Sequence, residues 1–206
     1  MARIDHVVMA VEDLGAAAKA LETNYGLVAH PGGPHGDAGT ANMYVPLGDD
    51  QYIELLAVTN ASSRHPMVAA LTRVLKDGDR LFNFALRAED IEAEAERLAE
   101  GIFDVETTLS GGKAVGFRLT GVSGLVGWPI LPWFIVTTHG REWIADRSRP
   151  YAMRPSGISR VEFGGDPETV KRRINDPDFP ISVVGDRAGL AAIWIGCEGE
   201  QLELRL

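Results

Sequence analysis

Self-similarity constrains this chain more than any other feature of its sequence. The stretch IDHVVMAVEDL (residues 4–14) is echoed by LFNFALRAEDI (81–91) and, more faintly, by ISRVEFGGDP (158–167). Each is an apolar, strand-like run, and the first two close on Glu-Asp before an aliphatic residue. The aspartates Asp13, Asp90 and Asp166 are suited to cap a helix N-terminus, and Pro167 to fill a first helical position. Helical sequence follows each time: LGAAAKALETNY, IEAEAERLAEG and PETVKRRIND. Glu94 lies three residues before Arg97, a spacing that supports an exposed helix face. Three short strands then follow each helix. They are expected near 27–30, 40–46 and 52–58, near 105–109, 114–120 and 132–137, and near 181–184, 191–196 and 201–206. Glycines and turn residues separate them, and PGGPHGDAG (31–39) reads as a long glycine-rich loop.

The chain therefore divides into a first βαβββ unit (1–58), a helical connector (59–80) and a second unit (81–137). A proline-containing connector (138–156) and a third, divergent βαβββ-like unit (157–206) complete it. PMVAALTRVLK, residues 66–76, supplies the helix of the first connector. The fold class is α+β. A strand–helix–three-strand unit covers one sheet face with its helix and leaves the other bare. Two units side by side then build a curved mixed sheet around a cleft.

Composition narrows the partners. The 206 residues carry a formal net charge of −9, which argues against wholesale binding to nucleic acid or to an anionic membrane surface. The apolar stretch GLVGWPILPWFIV (124–136) is too short to span a bilayer. No signal-peptide pattern opens the chain, and its one cysteine, Cys197, excludes an internal disulfide, so a cytoplasmic protein is expected.

Strand parity places the chemistry. Side chains alternate faces along a strand, so Ile4, His6, Val8 and Ala10 share one face, while Asp5, Val7, Met9 and Val11 share the other. The larger apolar set suits packing under the helix, which turns His6 into the cleft. By the same rule Glu54 lies with Tyr52 and Leu56.

Three motifs carry a family resemblance: Asp5-His6-Val7-Val8, Gly39-Thr40-Ala41-Asn42 and Tyr52-Ile53-Glu54-Leu55. With the repeat, they resemble the vicinal oxygen chelate superfamily, the glyoxalase and bleomycin-resistance fold, and within it the glyoxalase-like group. The resemblance is good over 3–58, moderate over 81–137 and faint over 157–206. It implies that the His6 and Glu54 strands are neighbours, so that imidazole and carboxylate meet. It also implies a small-molecule cleft and, by analogy, a homodimer. Metal-dependent members draw ligands from the first and last strands of both units. Here the second unit offers Asn83 opposite His6 and Phe134 opposite Glu54, a poor ligand and a non-ligand. The four-ligand set is therefore incomplete.

The candidate catalytic residues are Glu54 and His6, which are also the candidate ligands for a divalent metal (nickel, zinc, iron or manganese). Candidate substrate-binding residues are His35, Thr40, Asn42, Asn83, Arg118, Trp133 and Phe134. His35 lies among glycines that let backbone approach a ligand, and Arg118 offers a planar donor fork for a carboxylate or enolate. Three functions stay open. One is proton-transfer chemistry of lyase or isomerase type on a small oxygenated, anionic or neutral molecule. The second is non-catalytic binding or drug sequestration, and the third a metal-dependent dioxygenase. Two protein ligands bind a first-row ion weakly, so largely metal-free protein is expected.

Overall fold

The computed structural model describes residues 2–127, 129–143, 154–184 and 189–205. The first repeat runs β1 (Arg3–Ala10), α1 (Leu14–Tyr25), β2 (His30–Pro34), β3 (Thr40–Gly48) and β4 (Gln51–Val58). After α2 (Pro66–Val74), the second runs β5 (Arg80–Arg87), α3 (Ile91–Leu98), β6 (Phe103–Leu109), β7 (Lys113–Thr120), the short α4 (Val122–Val126) and β8 (Trp133–His139). The third runs β9 (Pro155–Gly164), α5 (Pro167–Ile174), β10 (Ile181–Val184), β11 (Gly189–Cys197) and β12 (Glu200–Arg205). Ten residues of the second connector, 144–153, and Leu206 lie outside the described residues.

The three aspartates do what their position in the repeat demands. Asp13, Asp90 and Asp166 each accept a hydrogen bond from the backbone N–H three residues on, at Ala16, Ala93 and Thr169. Such caps satisfy N–H groups that the helix itself cannot, and each contributes roughly 1 kcal/mol. α1 ends on Gly26 in the left-handed conformation, where the absence of Cβ avoids strain. One expectation shifts. β2 begins at His30, where the expected strand ends, and runs on to Pro34 through the start of the stretch read as loop, while Gly36–Ala38 beyond it makes a 3₁₀ turn.

β1 through β8 form one eight-stranded sheet in the order β2-β3-β4-β1-β5-β8-β7-β6. β1 runs parallel to β4, β5 runs parallel to β8, and β1 and β5 join the halves antiparallel. That junction is symmetric: His6 pairs with Ala85, and Val8 with Asn83. Exchanging the halves maps His6 onto Asn83 and Val8 onto Ala85. The sheet curls until its two edges meet. Ser110 N–H donates to the Gly32 carbonyl at 2.6 Å, and a Cβ on Gly33 would stand 2.7 Å from the Thr108 carbonyl oxygen. The result is a nearly closed cup within a single chain.

The third repeat shares the element order and not the pairing. Its sheet is ordered β10-β9-β11-β12, and the parallel partner of β9 is β10. In the other two repeats the opening strand pairs in parallel with the last strand of its unit. The third sheet packs by its face onto the core rather than by an edge. The Phe84 ring meets Phe163 edge-on at 5.5 Å and stacks on Phe179 at 5.9 Å. The Gln51 side chain donates to the Ile4 carbonyl and accepts from Ile158 N–H, and buried apolar residues of both sheets form one core. The apolar face of the third sheet is thus covered within the same chain. Among the described residues, no helix is long and apolar enough to cross a membrane.

A candidate active site in the cup

The inner wall of the cup is built on β1, β3 and β4. Glu54, on β4, lies directly opposite Tyr44 on β3 and in register with Val8 on β1. Its Oε1 accepts from the Asn42 amide at 2.7 Å. Asn42 in turn accepts from Gly33 N–H at 3.0 Å, so both ends of its amide are committed. His6 Nε2 stands 3.8 Å from one Glu54 oxygen, and His35 Nε2 stands 3.8 Å from the other. Neither distance is a hydrogen bond. The carboxylate is thus oriented by one neutral donor and flanked by two imidazoles.

Both imidazoles are held from behind. His6 Nδ1 lies 2.8 Å from Asp5 Oδ1, and its ring stacks on Tyr52, with centroids 4.6 Å apart, and meets Trp133 edge-on at 5.4 Å. His35 Nδ1 lies 3.0 Å from the hydroxyl of buried Thr40, and its backbone N–H donates to the Thr40 carbonyl. The Asp5 contact corrects the parity reading. A bulge between Ile4 and His6 inserts Asp5 as an unpaired residue, so strict alternation fails there and neighbouring side chains meet.

Asp5 is almost fully buried, and its second oxygen takes Arg87 Nε at 3.2 Å and Arg141 Nη1 at 2.7 Å. Burial opposes ionisation, but the hydrogen bond to His6, with the Arg141 and Arg87 guanidiniums, holds the carboxyl below the usual aspartate range. A carboxyl whose pKa is depressed by folding adds stability above its unfolded value, and that stability drains as the pH falls through the folded value. Denaturant midpoints should therefore drop steeply below about pH 4, and Asp5→Asn should flatten that drop while lowering stability at neutral pH.

The other expected site residues divide. Trp133 faces the cup, as its contact with His6 shows. Register makes Trp133, in line with Ala85, the counterpart of Glu54, in line with Val8. Phe134 is not that counterpart: it sits under the Arg97 guanidinium of α3, 5.4 Å away on the helix side. Asn83 is fully buried and spends its amide on the Leu131 carbonyl and the Phe84 N–H. It supports the cup wall from within. Arg118 does not reach the cup at all. It pairs with Glu92 of α3 at 2.6 Å and Asp104 of β6 at 3.3 Å on the outer face. Side chains from both halves close the interior instead: Tyr44, Tyr52, Leu109 and Val115 form a second apolar cluster, with Phe117 against it.

The sequence reading left Asp5, Arg87, Arg141 and Tyr52 without a role. Tyr52 belongs to the motif quoted with Glu54 and could have been found there. The arginines come from remote strands and turns and leave no local signal.

Gly32 shows how tightly this wall is drawn. A Cβ there would lie 1.9 Å from Asn42 Oδ1 and 3.0 Å from its carbonyl oxygen. Gly32→Ala is expected to cost about 1–3 kcal/mol by overpacking and to push the Asn42 amide off Glu54. Denaturant titration reads the first effect, and a change in the ¹H–¹⁵N signals of the Asn42 side-chain amide, which donates to Glu54, reads the second.

A family profile for the glyoxalase-like domain matches residues 4–175, most of the chain. The chain belongs to the glyoxalase-like domain family. That family lies in the vicinal oxygen chelate superfamily. A hypothetical protein from Staphylococcus aureus shares the fold over 98% of this glyoxalase-like chain and 98% of its own, at 15% identity and a TM-score of 0.67. Methylmalonyl-CoA epimerase from Streptomyces coelicolor, solved with 2-nitronate-propionyl-CoA, matches 66% of this chain and 98% of its own, at 20% identity and a TM-score of 0.49. The Mycobacterium tuberculosis epimerase matches 65% of this chain and 85% of its own, at 18% identity and a TM-score of 0.47. No curated protein matches the chain significantly.

The superfamily implies a divalent metal, and the donor set here does not fit one. Among the described residues, no three His, Cys, Asp or Glu side chains gather closely enough to hold an ion. At the positions equivalent to His6 and Glu54, the second half presents an amide and an indole, and the amide is already hydrogen-bonded.

Proposed function

We propose that the cup binds a small oxygenated organic molecule and moves a proton on it, as an isomerase or lyase does, with Glu54 as the base. The observation that carries this reading is the environment of Glu54. Its carboxylate is half-sheltered in an aromatic wall, tethered by one neutral amide and approached by two imidazole nitrogens from opposite sides. A carboxylate so placed can take a proton from a carbon next to a carbonyl. His35 Nε2 stands where it can donate to the oxygen that gains charge, and the proton returns from Glu54 to the same or a neighbouring carbon. With Arg118 outside the cup, recognition falls to neutral donors and aromatic surface, which suits an uncharged or singly charged ligand.

Deuterium wash-in tests the reading. A panel of small carbonyl compounds incubated with the protein in D₂O should include members that gain deuterium next to the carbonyl. Binding without exchange on any member favours the second reading, sequestration without chemistry. The aromatic cluster across the cup supports that alternative, because it supplies apolar contact independent of Glu54.

The reading carries an expectation about metal. Protein purified without chelator should hold far less than one equivalent of nickel, zinc, iron or manganese by elemental analysis. Stoichiometric metal lost on His6→Ala would replace this mechanism with a metal-assisted one.

A further inference from the structure

The strongest unassigned feature is the charged cluster behind His6. Asp5 divides its carboxylate: Oδ1 faces His6 Nδ1 at 2.8 Å, and Oδ2 receives Arg87 Nε and Arg141 Nη1. The same two guanidiniums also hold Asp50. Arg87 Nη1 and Arg141 Nε reach Asp50 Oδ2 at 3.0 and 2.7 Å, and both arginines donate to the Asp50 carbonyl. Two carboxylates and two guanidiniums make this cluster neutral without any charge on His6. Asp5 Oδ1 is left to serve His6 Nδ1 as a hydrogen-bond acceptor, while Glu54 Oε2 faces the other ring nitrogen at 3.8 Å. An ionised carboxylate is acceptor-only, so the proton between them belongs to Nδ1. The ring cannot easily turn away, because Tyr52 stacks on its face and Trp133 abuts its edge.

We propose that Asp5 is a positioning residue that fixes neutral His6 as the Nδ1–H tautomer, leaving Nε2 a lone-pair nitrogen beside Glu54. The proposal deepens the proton-transfer reading and rests on it for its purpose, though not for its test. In this tautomer Nε2 is an acceptor: it can take a proton from Glu54 or from substrate and then return it as the imidazolium. The Asp5 carboxylate would stabilise that transient cation. His35, whose Nδ1 faces a hydroxyl that can donate or accept, is under no such constraint. The two imidazoles flanking Glu54 are then unequal, with His6 poised to accept and His35 free to donate.

Asparagine at position 5 reverses the constraint. Its amide can donate to Nδ1, which moves the ring proton to Nε2. A wrong tautomer of this kind costs a serine protease roughly 10⁴-fold in turnover. Here the direct readout is spectroscopic. Long-range ¹H–¹⁵N spectra of full-length protein carrying ¹⁵N-histidine, recorded at about pH 8 where an ordinary histidine is neutral, distinguish protonated from bare ring nitrogens. The His6 signals are assigned by their loss in His6→Gln. The expected result is a protonated Nδ1 and a bare Nε2 in the unaltered protein, with the two exchanged in Asp5→Asn. A bare Nδ1 in the unaltered protein, two protonated nitrogens, or an unchanged pattern in a folded Asp5→Asn variant would each overturn the proposal. If Asp5→Asn fails to fold, the spectrum of the unaltered protein still decides. Failure of the proton-transfer reading looks different: the tautomer stands as expected, but no compound in the panel exchanges deuterium.

Discussion

Glu54→Gln is expected to reduce deuterium wash-in by about 10²–10⁴-fold, the usual contribution of a positioned general base, with little loss of stability. The asymmetry follows from what glutamine keeps. Its carbonyl oxygen can still accept from Asn42, and its size matches the space between the two imidazoles. Only the basic lone pair is lost. Binding of an exchanging panel member, followed by saturation-transfer NMR, should change by less than tenfold. An equal loss of binding and exchange would assign Glu54 to ligand recognition and remove it as the base. Retained exchange would move the base to His6 or His35.

Arg173→Met should produce the largest single loss of stability, about 3 kcal/mol, the low end for breaking a buried pair. Arg173 is buried where the third repeat meets the second. Its Nε donates to the Pro132 carbonyl at 2.8 Å, Nη1 meets Glu100 at 3.0 Å, and Nη2 donates to the Gly121 carbonyl. Methionine fills the volume and takes a donor from all three acceptors. The cost stays at the low end because Glu100 keeps two hydrogen bonds from Ser123 and some solvent. Adding Glu100→Gln to Arg173→Met should recover part of the loss, since the stranded charge is then gone. Urea titration of the four proteins in the cycle measures the coupling. Strict additivity would mean that the pair contributes nothing as a pair.

Elements with a local cause were legible in the sequence. The capped helices declare themselves through Asp13, Asp90 and Asp166, and the opening strands of the repeats through their apolar runs. The meeting of His6 and Glu54 followed from parity together with the family's strand order. Single-residue irregularities were not legible, because one inserted residue breaks the strict alternation on which inferences about facing rest. The bulge at Asp5 made a partner of the residue assigned to the opposite face. A one-residue offset in the second half put Phe134 where Trp133 belongs. Arg118 went to the outer face because Val115 and Phe117, its apolar neighbours in sequence, took the inner one. Arg173 was hidden differently. Lys171, Arg172 and Arg173 are three consecutive cations at the end of one helix, and only the docking of the third sheet singles out one of them.

The meeting of β2 with β6 closes both halves of the cup inside one polypeptide, and this bears on how such a site can evolve. A cup assembled from two identical subunits about a two-fold axis must carry the same residues on both walls. A substitution that helps one wall is then imposed on the other. Joined end to end, the halves escape that symmetry. One wall can gather an acid–base cluster around Glu54 while its twin sets an amide into the packing and an indole against His6. The division of labour between the two walls is a freedom that fusion of the repeats confers.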